Sequence, residues 1–358
     1  MRFSFVITNL AGGGAEKAVL KIAEYLTYRK HEVEIVLLEK RIEHKIPQVL
    51  RNKVSFLSQK ISGSWVFKRI LGWKLRQYFR KKPHSDIVIS TLPFADEITS
   101  LAQIPKHWCR IANTLSSEID DLQKSSPNKA RRRLKRYQNI YGKHPLIANS
   151  DGVAEDLVDG LGLNTLVKVI PNPFDFSFVR KAATETASDI PDSSYVIHVG
   201  RFSAQKRHDL LLDAWSQVQT QAKLILLTRY DPLLEKMIQE RKLKERVTIA
   251  GFKANPYPWI AGARLMVLSS DREGLPNVLI ESLLCGTPVV STDCPSGPRE
   301  ILGEYCSSYL VSVNDSLALA SAISKALNDP IDISMIDLSR FTVDEVMTKY
   351  EQLVYGAD

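Results

Sequence analysis

Two glutamates, Glu273 and Glu281, stand eight residues apart in the segment DREGLPNVLIES, with a Gly-Leu-Pro turn between them. The pattern RLMVLSS predicts a strand before the first glutamate, and Pro276 is typical of a first helical turn. Eight residues of helix span about 12 Å, and the free N–H groups of a helix N-terminus favour an anion. The spacing therefore suits a nucleotide sugar, with its diphosphate between two hydroxyl-bearing parts. The alternative is that Glu281 only caps or pairs within a helix, which its apolar neighbours VLI and SLLCG disfavour.

Two cations follow another predicted strand, SYVIHVGR, at the point where it ends. Arg201 and Lys206 follow this strand, which ends at Gly200, and a helix begins just after them. Cations at the carboxyl end of a strand suit a diphosphate, because guanidinium and ammonium groups donate charge-assisted hydrogen bonds to phosphate oxygens. Two ordinary surface cations are the alternative when this segment is taken alone.

A third candidate is the glycine run of TNLAGGGAEKA, which follows the first predicted strand and opens a helix. Glycine permits close approach of the backbone, and the helix N-terminus offers N–H groups to an anion. The run is not G-x-G-x-x-G, so the dinucleotide fingerprint is absent. A glycine turn without any ligand remains the alternative.

All three candidates lie where a strand passes into a helix, in a chain where the two alternate throughout. One series ends near residue 175, and a second begins at residue 194. Alternation of this kind predicts parallel sheets with helices on both faces, and ligands at the carboxyl ends of the strands. Since 358 residues exceed what one core usually serves, we expect an α/β protein with two such doubly wound domains facing across a cleft.

Charge is unevenly distributed along the chain. Residues 1–179 contain 29 Lys and Arg against 17 Asp and Glu, and the rest contains 19 against 23. The excess lies in WVFKRILGWKLRQYFRKK (65–82) and KARRRLKR (129–136). The first segment fits two interpretations equally, a membrane-surface helix or a core-packed helix with a solvated basic side. The second is interpreted as a solvated helix face, because no nucleic-acid motif and no aromatic residue accompany it.

Several classes of protein are disfavoured by composition. None of the four cysteines forms a C-x-x-C pair or has histidine at metal-ligand spacing, so a zinc site is not indicated and a reduced cytoplasmic setting fits. The N-terminal apolar run is broken by Thr8 and Asn9, which predicts a strand rather than a signal peptide. No apolar run approaches the roughly 20 residues of a transmembrane helix. The chain has no D-x-D pair, so a metal-clamped diphosphate is not indicated.

The motifs together resemble the family 4 retaining glycosyltransferases, which have the GT-B fold. EGLPNVLIE resembles the E-x7-E motif of that family, and GGGAEKA, VKVIPNPFD, HVGRFSAQK, GFKANPYPW and SGPREIL occur in the family's order. The resemblance covers nearly the whole chain. Its tail and length look like bacterial transferases of O-antigen, capsule or lipid-linked oligosaccharide assembly. Among these, N-acetylhexosamine transferases acting on undecaprenyl-diphosphate sugars are the most similar.

The resemblance implies a role for each matching position. Arg201 and Lys206 match the donor-diphosphate ligands, and Glu273 matches the acid that faces the donor sugar. Glu281 matches the acid on the ribose. The other implied donor-site residues are Gly13, Gly14, Phe252, Lys253, Gly274, Leu275, Pro276 and Asn277. Many relatives carry a histidine in the loop that corresponds to residues 110–120, whereas this chain has none there. The acceptor-site residues predicted in that loop are Asn113, Thr114 and Glu118.

The resemblance also implies an organisation and an activity. Residues 1–173 would form an acceptor-binding domain completed by a C-terminal helix over 340–358, and residues 174–339 a nucleotide-sugar-binding domain. The expected reaction is metal-independent transfer of a hexose or N-acetylhexosamine, with GalNAc or GlcNAc from a UDP-sugar as the best guess. The expected acceptor is a polyprenyl-diphosphate-linked saccharide, the linkage is alpha, and no cofactor is needed. We expect a cytoplasmic protein, peripheral on the anionic inner face of the cell membrane.

Two other classes stay open on the sequence. A sugar-nucleotide epimerase of the non-hydrolysing type shares the two-domain architecture, but it would need acid–base groups around a sugar carbon and no basic amphipathic segment. A nucleic-acid-binding protein is suggested by the pI near 9.1. The absence of a binding motif beside the basic segments disfavours that second class.

Overall fold

A computed structural model describes residues 1–187, 189–303, 307–329 and 332–355. The chain divides into two compact units, Met1–Pro173 with Arg340–Asp358, and Phe174–Ser339. The end of the predicted C-terminal helix, residues 356–358, lies outside the described residues. The assignment of the acceptor to the first unit and the donor to the second stays a prediction.

The first unit is built on a seven-stranded parallel sheet with the order β3-β2-β1-β4-β5-β6-β7. The order reverses between β1 and β4, which makes their carboxyl ends a topological switch point. The strands are β1 Arg2–Ile7, β2 Glu32–Leu37, β3 Val54–Phe56, β4 Ile87–Thr91, β5 His107–Ile111, β6 Leu146–Ala148 and β7 Val167–Val169.

Helices cover both faces of this sheet, so its strands are apolar on both sides. The helices are α1 Gly14–Tyr28, α2 Trp65–Arg80, α3 Pro93–Ala102, α4 Leu115–Ser125, α5 Pro127–Tyr141, α6 Asp151–Glu155 and, from the C-terminal return, α14 Val343–Tyr355. Shorter helical turns occupy Gln48–Lys53, Asp156–Gly160 and Ser339–Phe341. One core layer joins α1 and α14 to the strands through residues such as Phe5, Ile22 and Tyr350. The C-terminal return therefore packs into the first unit.

The second unit has a six-stranded parallel sheet with the order β10-β9-β8-β11-β12-β13. Here the order reverses between β8 and β11. The strands are β8 Tyr195–Val199, β9 Lys223–Leu227, β10 Val247–Ile249, β11 Leu265–Leu268, β12 Val289–Thr292 and β13 Leu310–Val311. The helices are α7 Phe176–Ala183, α8 His208–Gln217, α9 Pro232–Glu240, α10 Tyr257–Ala261, α11 Asn277–Leu284, α12 Pro298–Leu302 and α13 Ser316–Asn328, with shorter turns at Ala204–Lys206 and Ser307–Tyr309.

The α/β class with two doubly wound units is confirmed. Strand β5 is absent from the sequence prediction because its segment HWCRI carries a histidine and an arginine. Both are buried and partnered inside the fold. His107 Nε2 lies 2.8 Å from Ser90 Oγ, and Arg110 Nε donates to Tyr350 Oη at 3.2 Å. Buried polar groups with partners of this kind are compatible with a central strand.

Candidate active site

The loops that follow β8 and β11 are cross-linked at the carboxyl edge of the second sheet. Ser269 Oγ donates to the carbonyl of Lys206 at 2.8 Å, and the Asp271 N–H donates to the carbonyl of Gln205 at 2.9 Å. The side chain of Gln205 returns a bond to the carbonyl of Arg272 at 2.8 Å. These bonds fix two segments that are more than sixty residues apart in sequence. The residues predicted to bind the donor diphosphate and the donor sugar are therefore held in one register.

An ion pair between Lys206 and Glu273 lies at the centre of this arrangement. Lys206 Nζ stands 2.6 Å from Glu273 Oε1, and Ser270 Oγ donates to the same oxygen at 2.6 Å. Glu273 is only 7% exposed, so this carboxylate exchanges most of its water for protein donors. Arg201 lies on the β8 loop and is exposed. The sequence did not predict Ser270, although a hydroxyl at a strand end, three residues before the glutamate, is the kind of signal that identifies it.

Arg207 also links the loop after β8 to the loop after β11. Its guanidinium donates to both carboxylate oxygens of Asp209, to Asp271 Oδ1 at 2.7 Å and to Asn314 Oδ1. The hydrogen bonds to Asp209, with that to Asp271, raise the pKa of Arg207 above its ordinary value. A role for Arg207 was not predicted, because the sequence alone does not show that its side chain bonds to Asp271 and Asn314.

The turn before α11 is shaped by a close contact with Gly297. The backbone φ of Gly297 is +93°, and a Cβ built there would lie 2.2 Å from Pro276 Cδ and 3.3 Å from the carbonyl oxygen of Gly274. Only glycine accommodates both the conformation and the contact. Gly274, Leu275 and Pro276 are buried beneath this loop, and Asn277 is half-buried.

The predicted distance between Glu273 and Glu281 assumed that the whole segment between them is helical, and this assumption is wrong. Helix α11 begins at Asn277, and Pro276 precedes it rather than occupying its first turn. Only the second half of the segment from Glu273 to Glu281 is helical, because residues 273–276 form the exit loop of β11. The estimate of about 12 Å, which assumed helix throughout, therefore does not apply.

Glu281 lies on α11 beside an aromatic pair. Tyr257 Oη is 3.5 Å from Glu281 Oε1, at the outer limit of a hydrogen bond. The Tyr257 ring meets Phe178 edge-on, with centroids 6.4 Å apart. Tyr257 belongs to the segment NPYPW, which the sequence analysis used as a family motif without giving this residue a role. It is a candidate for orienting the Glu281 carboxylate.

The two residues predicted near the nucleobase differ in their surroundings. Phe252, after β10, is 61% exposed, and the Arg229 guanidinium lies 5.9 Å from its ring centre. Lys253 forms an ion pair with Asp189, and its ammonium lies 4.6 Å from the ring centre of Trp259. The Phe252 side chain is thus largely exposed to solvent, whereas Lys253 is engaged within the unit.

Two neutral histidines lie below the β8 loop. His198 is fully buried at the end of β8, with Nδ1 2.9 Å from the carbonyl of Val267, and its ring meets His208 edge-on at 4.7 Å. Burial lowers the pKa of His198 well below its ordinary value, and burial with the nearby Lys206 charge lowers the pKa of His208 to about 4. The loop that carries Lys206 therefore rests on uncharged rings.

The glycine run of the first unit is occupied by its own helix. The Gly13 N–H donates to Glu16 Oε2 at 2.9 Å, and the Glu16 side chain is buried. A Cβ on Gly12 would lie 1.8 Å from Glu16 Oε1. The N-terminus of α1 thus holds the carboxylate of Glu16, and the positive end of the helix dipole stabilises that negative charge. An incoming anion at Gly13 or Gly14 would have to displace Glu16.

The predicted acceptor residues lie around the start of α4. Thr114 is buried and directly precedes the helix, and Asn113 is half-buried. Glu118 forms an ion pair with Arg133 and accepts a hydrogen bond from Tyr137 Oη at 2.6 Å. Burial, and then the bond to Glu118, raise the pKa of Tyr137 to about 12. Glu118 therefore joins α4 to α5.

No cluster of three or more His, Cys, Asp or Glu is arranged to hold a metal ion within the described ranges. Among the helices that the structure describes, none is both long enough and apolar enough to span a bilayer.

Models of known protein families match both units. The model described as "Glycosyltransferase Family 4" matches residues 12–178, and that described as "Glycosyl transferases group 1" matches residues 193–329. The two matches together span most of the chain, and each falls mainly within one unit.

Similar proteins are found among both sequences and solved structures. The N-acetylgalactosamine-N,N'-diacetylbacillosaminyl-diphospho-undecaprenol 4-alpha-N-acetylgalactosaminyltransferase of Campylobacter jejuni subsp. jejuni serotype O:2 is 28% identical over 92% of this chain and 90% of its own length. A second transferase of that organism, GalNAc-alpha-(1->4)-GalNAc-alpha-(1->3)-diNAcBac-PP-undecaprenol alpha-1,4-N-acetyl-D-galactosaminyltransferase, is 26% identical over 92% and 89%. The crystal structure of Anabaena Alr3699/HepE in complex with UDP and glucose superposes with a TM-score of 0.78 at 22% identity, covering 99% of both chains. This likeness confirms the GT-B fold.

Proposed function

Because the chain belongs to the family 4 glycosyltransferases, we propose that it transfers an N-acetylhexosamine from a UDP-sugar to a saccharide carried on a polyprenyl diphosphate. The linkage formed is alpha, and the product serves the assembly of a bacterial surface polysaccharide such as O-antigen. One observation carries the substrate class. The Campylobacter relative whose name specifies a diphospho-undecaprenol acceptor aligns with 92% of this chain.

The chemistry assigned to the second unit is electrostatic. As the bond from the sugar to the phosphate breaks, negative charge grows on the nucleoside diphosphate. Lys206, Arg201 and the N–H groups at the start of α11 stabilise that charge. The ion pair with Glu273 holds the Lys206 ammonium 2.6 Å from the carboxylate before the donor arrives. In the complex, hydroxyls of the donor sugar become partners of Glu273, and the ammonium turns to the phosphate.

Retention of configuration is proposed to proceed on one face of the sugar. The leaving phosphate oxygen accepts the proton of the acceptor hydroxyl, which attacks from the side of departure. The bond from the sugar to the acceptor replaces the bond to the phosphate, and the acceptor's proton ends on the phosphate. No covalent enzyme intermediate is needed. Glu281 is assigned to the ribose hydroxyls, with Tyr257 as its neighbour at 3.5 Å.

The membrane surface is proposed as the place where the acceptor is met, through helix α2. Leu71 and Leu75 face the core, whereas Val66, Ile70 and Trp73 are between 49% and 61% exposed. The helix therefore has two apolar faces, which explains why its residues show no single stripe in the sequence. Arg69 and other cations flank the outer face, as in helices that lie at anionic interfaces. We assign the protein to the cytoplasmic surface of the cell membrane on this basis.

A panel of donors and acceptors tests the function. UDP- and GDP-linked sugars are incubated with polyprenyl-diphosphate saccharides, and products are read by mass spectrometry. We expect one added N-acetylhexosamine from a UDP-sugar, with an alpha anomeric signal in NMR. Epimerisation of the UDP-sugar without acceptor, and no transfer across the panel, would instead identify the epimerase alternative.

A further inference from the structure

A groove of about 430 Å³ lies between α3 and α5, in the first unit and outside the residues assigned to the reaction. Its lining contains four cations and one acid. Arg132, Arg136 and Asn139 follow one another at helical spacings of four and three, so they share one face of α5. Lys135 and Lys143 extend the same row. The second basic segment of the sequence thus forms one wall of a concave surface.

The single acid of the groove does not cancel this charge. Glu97 lies 2.8 Å from Lys68 of α2 and also forms an ion pair with Arg136, so two cations already share it. Arg132, Lys135 and Lys143 are exposed and have no ion pair among the described residues. Three positive charges therefore point to one groove without a protein anion to balance them.

The lining of the groove also contains two apolar residues beside its cations. Ile140 and Leu101 belong to the lining, and Leu101 is 45% exposed. Helices α2 and α3 cross closely at Gly72, where an added Cβ would lie 3.2 Å from Leu101 Cβ. Leu101 thus lies both in the lining of the groove and against the buried side of α2. The groove therefore combines an exposed apolar side chain with unbalanced cations.

We propose that the α3–α5 groove binds the phosphate group of an anionic phospholipid while the outer face of α2 lies in the bilayer surface. The proposal rests on the membrane association proposed above and deepens it by naming the lipid site. Charge complementarity selects an anion, and the exposed Leu101 in the same lining favours one attached to hydrocarbon. Single-stranded nucleic acid fits less well, because its binding sites supply aromatic rings for base stacking and this lining has none.

The test compares two triple variants with the same change in charge. The groove variant carries Arg132→Gln, Lys135→Gln and Lys143→Gln, and the control carries Arg51→Gln, Lys223→Gln and Lys244→Gln at exposed positions elsewhere. Each cation near an anionic surface contributes about a fivefold change in binding, so the groove variant should bind phosphatidic acid vesicles about a hundredfold more weakly at low salt. The control should change binding by less than about threefold, and equal melting temperatures confirm that both fold.

Three further arms decide the identity of the ligand. Vesicles of equal surface charge made with a fatty acid, which has no phosphate, should show a smaller loss for the groove variant than phosphatidic acid vesicles do. Inorganic phosphate, at the same phosphate concentration, should not displace the protein from vesicles. Equal losses in both triple variants, equal losses on both anionic vesicles, displacement by inorganic phosphate, or a groove-dependent loss of RNA binding alone would each overturn the proposal. Vesicle binding needs neither donor nor acceptor, so its outcome is independent of whether sugar transfer is observed.

Discussion

The strongest constraint at the residue scale is that Glu273 has two donors, Lys206 and Ser270, at 2.6 Å each. A carboxylate that is nearly buried needs such partners, and removing one leaves part of its charge unsatisfied. The same contact holds the ammonium in place before any donor is bound. Sequence reasoning identified Lys206 and Glu273 through the family motifs. It could not show that they touch each other, since a contact between residues 67 positions apart depends on the fold.

Lys206→Ala is expected to lower kcat by about 10²- to 10³-fold, because an aligned donor to developing charge contributes about 3–4 kcal/mol. Lys236→Ala is the matched control, since Lys236 is an exposed cation of the same unit whose ion pair, among the described residues, is with Glu240 on its own helix. Steady-state kinetics on both variants, with circular dichroism to confirm folding, give the comparison. A folded Lys206→Ala enzyme with the kcat of wild type would remove this residue from the reaction.

The buried His208 predicts an acid limit to stability. Its folded pKa is about 4, below the ordinary value of 6.5. The unfolded chain therefore binds more protons between these values, and stability that is complete above pH 6.5 is lost as the pH falls toward 4. The loss attributable to this residue is about 3 kcal/mol. Asp96 acts in the opposite sense, because burial raises its pKa to about 7, so its contribution is lost as the pH rises through that value.

His208→Gln separates the two effects. Because Asp96 opposes His208 over the same pH range, the variant should gain free energy of unfolding relative to wild type as the pH falls from 6.5 to 4, while the difference between the two proteins stays constant above pH 7. Denaturant unfolding at a series of pH values measures both. Parallel curves for the two proteins across the acid range would mean that His208 titrates normally in the folded state.

At the scale of elements, alternation of apolar runs with amphipathic segments predicted most strands and helices correctly. It was less successful at element boundaries, as at α11, where Pro276 precedes the helix. Strand β5 was missed because buried polar side chains imitate a surface segment. Its His107 and Arg110 are paired by residues from other elements, and local sequence does not contain that information.

Substitution of Gly297 tests whether its close contact with Pro276 stabilises the turn before α11. Gly297→Ala introduces both a strained φ and a clash with Pro276, whereas Gly286→Ala has φ +82° and nothing within 4 Å of the new Cβ. The control should cost about 1 kcal/mol from backbone strain alone. Gly297→Ala should be less stable than the control and should raise the KM for the UDP-sugar. Thermal melts and donor kinetics test this, and equal effects of the two substitutions would show that the contact is unimportant.

The cations on the exposed side of helix α2 are predicted to contribute to binding of anionic membranes. Arg69, Lys74 and Arg76 changed together to Ser should weaken binding to anionic vesicles by about a hundredfold at low salt. The difference should shrink at high salt because surface charges are then screened. Lys68 is left unchanged because it is paired with Glu97. Binding equal to wild type in vesicle sedimentation would favour the other interpretation, a packed helix with a solvated basic side.

At the scale of the whole molecule, the two-unit architecture could be predicted from the length of the chain and from the alternation of its strands and helices. The donor-site geometry could not. Ser270, Arg207 and Tyr257 become relevant only because parallel strands bring their carboxyl ends to one edge of the sheet. Sequence patterns thus predicted the framework and the motif residues, and tertiary contacts supplied the residues that orient them.

The balance of charges around the diphosphate leads to the last prediction, that activity survives EDTA. A transferase must neutralise the charge that develops on the leaving diphosphate, either with a bound divalent cation or with fixed protein donors. This chain has no D-x-D pair, and it supplies Arg201, Lys206 and the start of α11 at the proposed site.

Initial rates are measured on enzyme and substrates stripped of metal, with and without EDTA. Rates that stay within about twofold fit neutralisation by the protein, whose transition-state contribution of a few kcal/mol does not depend on added metal. A modest stimulation by Mg²⁺ fits as well, since a cation can assist release of the nucleoside diphosphate. Complete loss with EDTA, restored by Mg²⁺ or Mn²⁺, would show that the cation carries the charge and that the assigned side chains do not suffice.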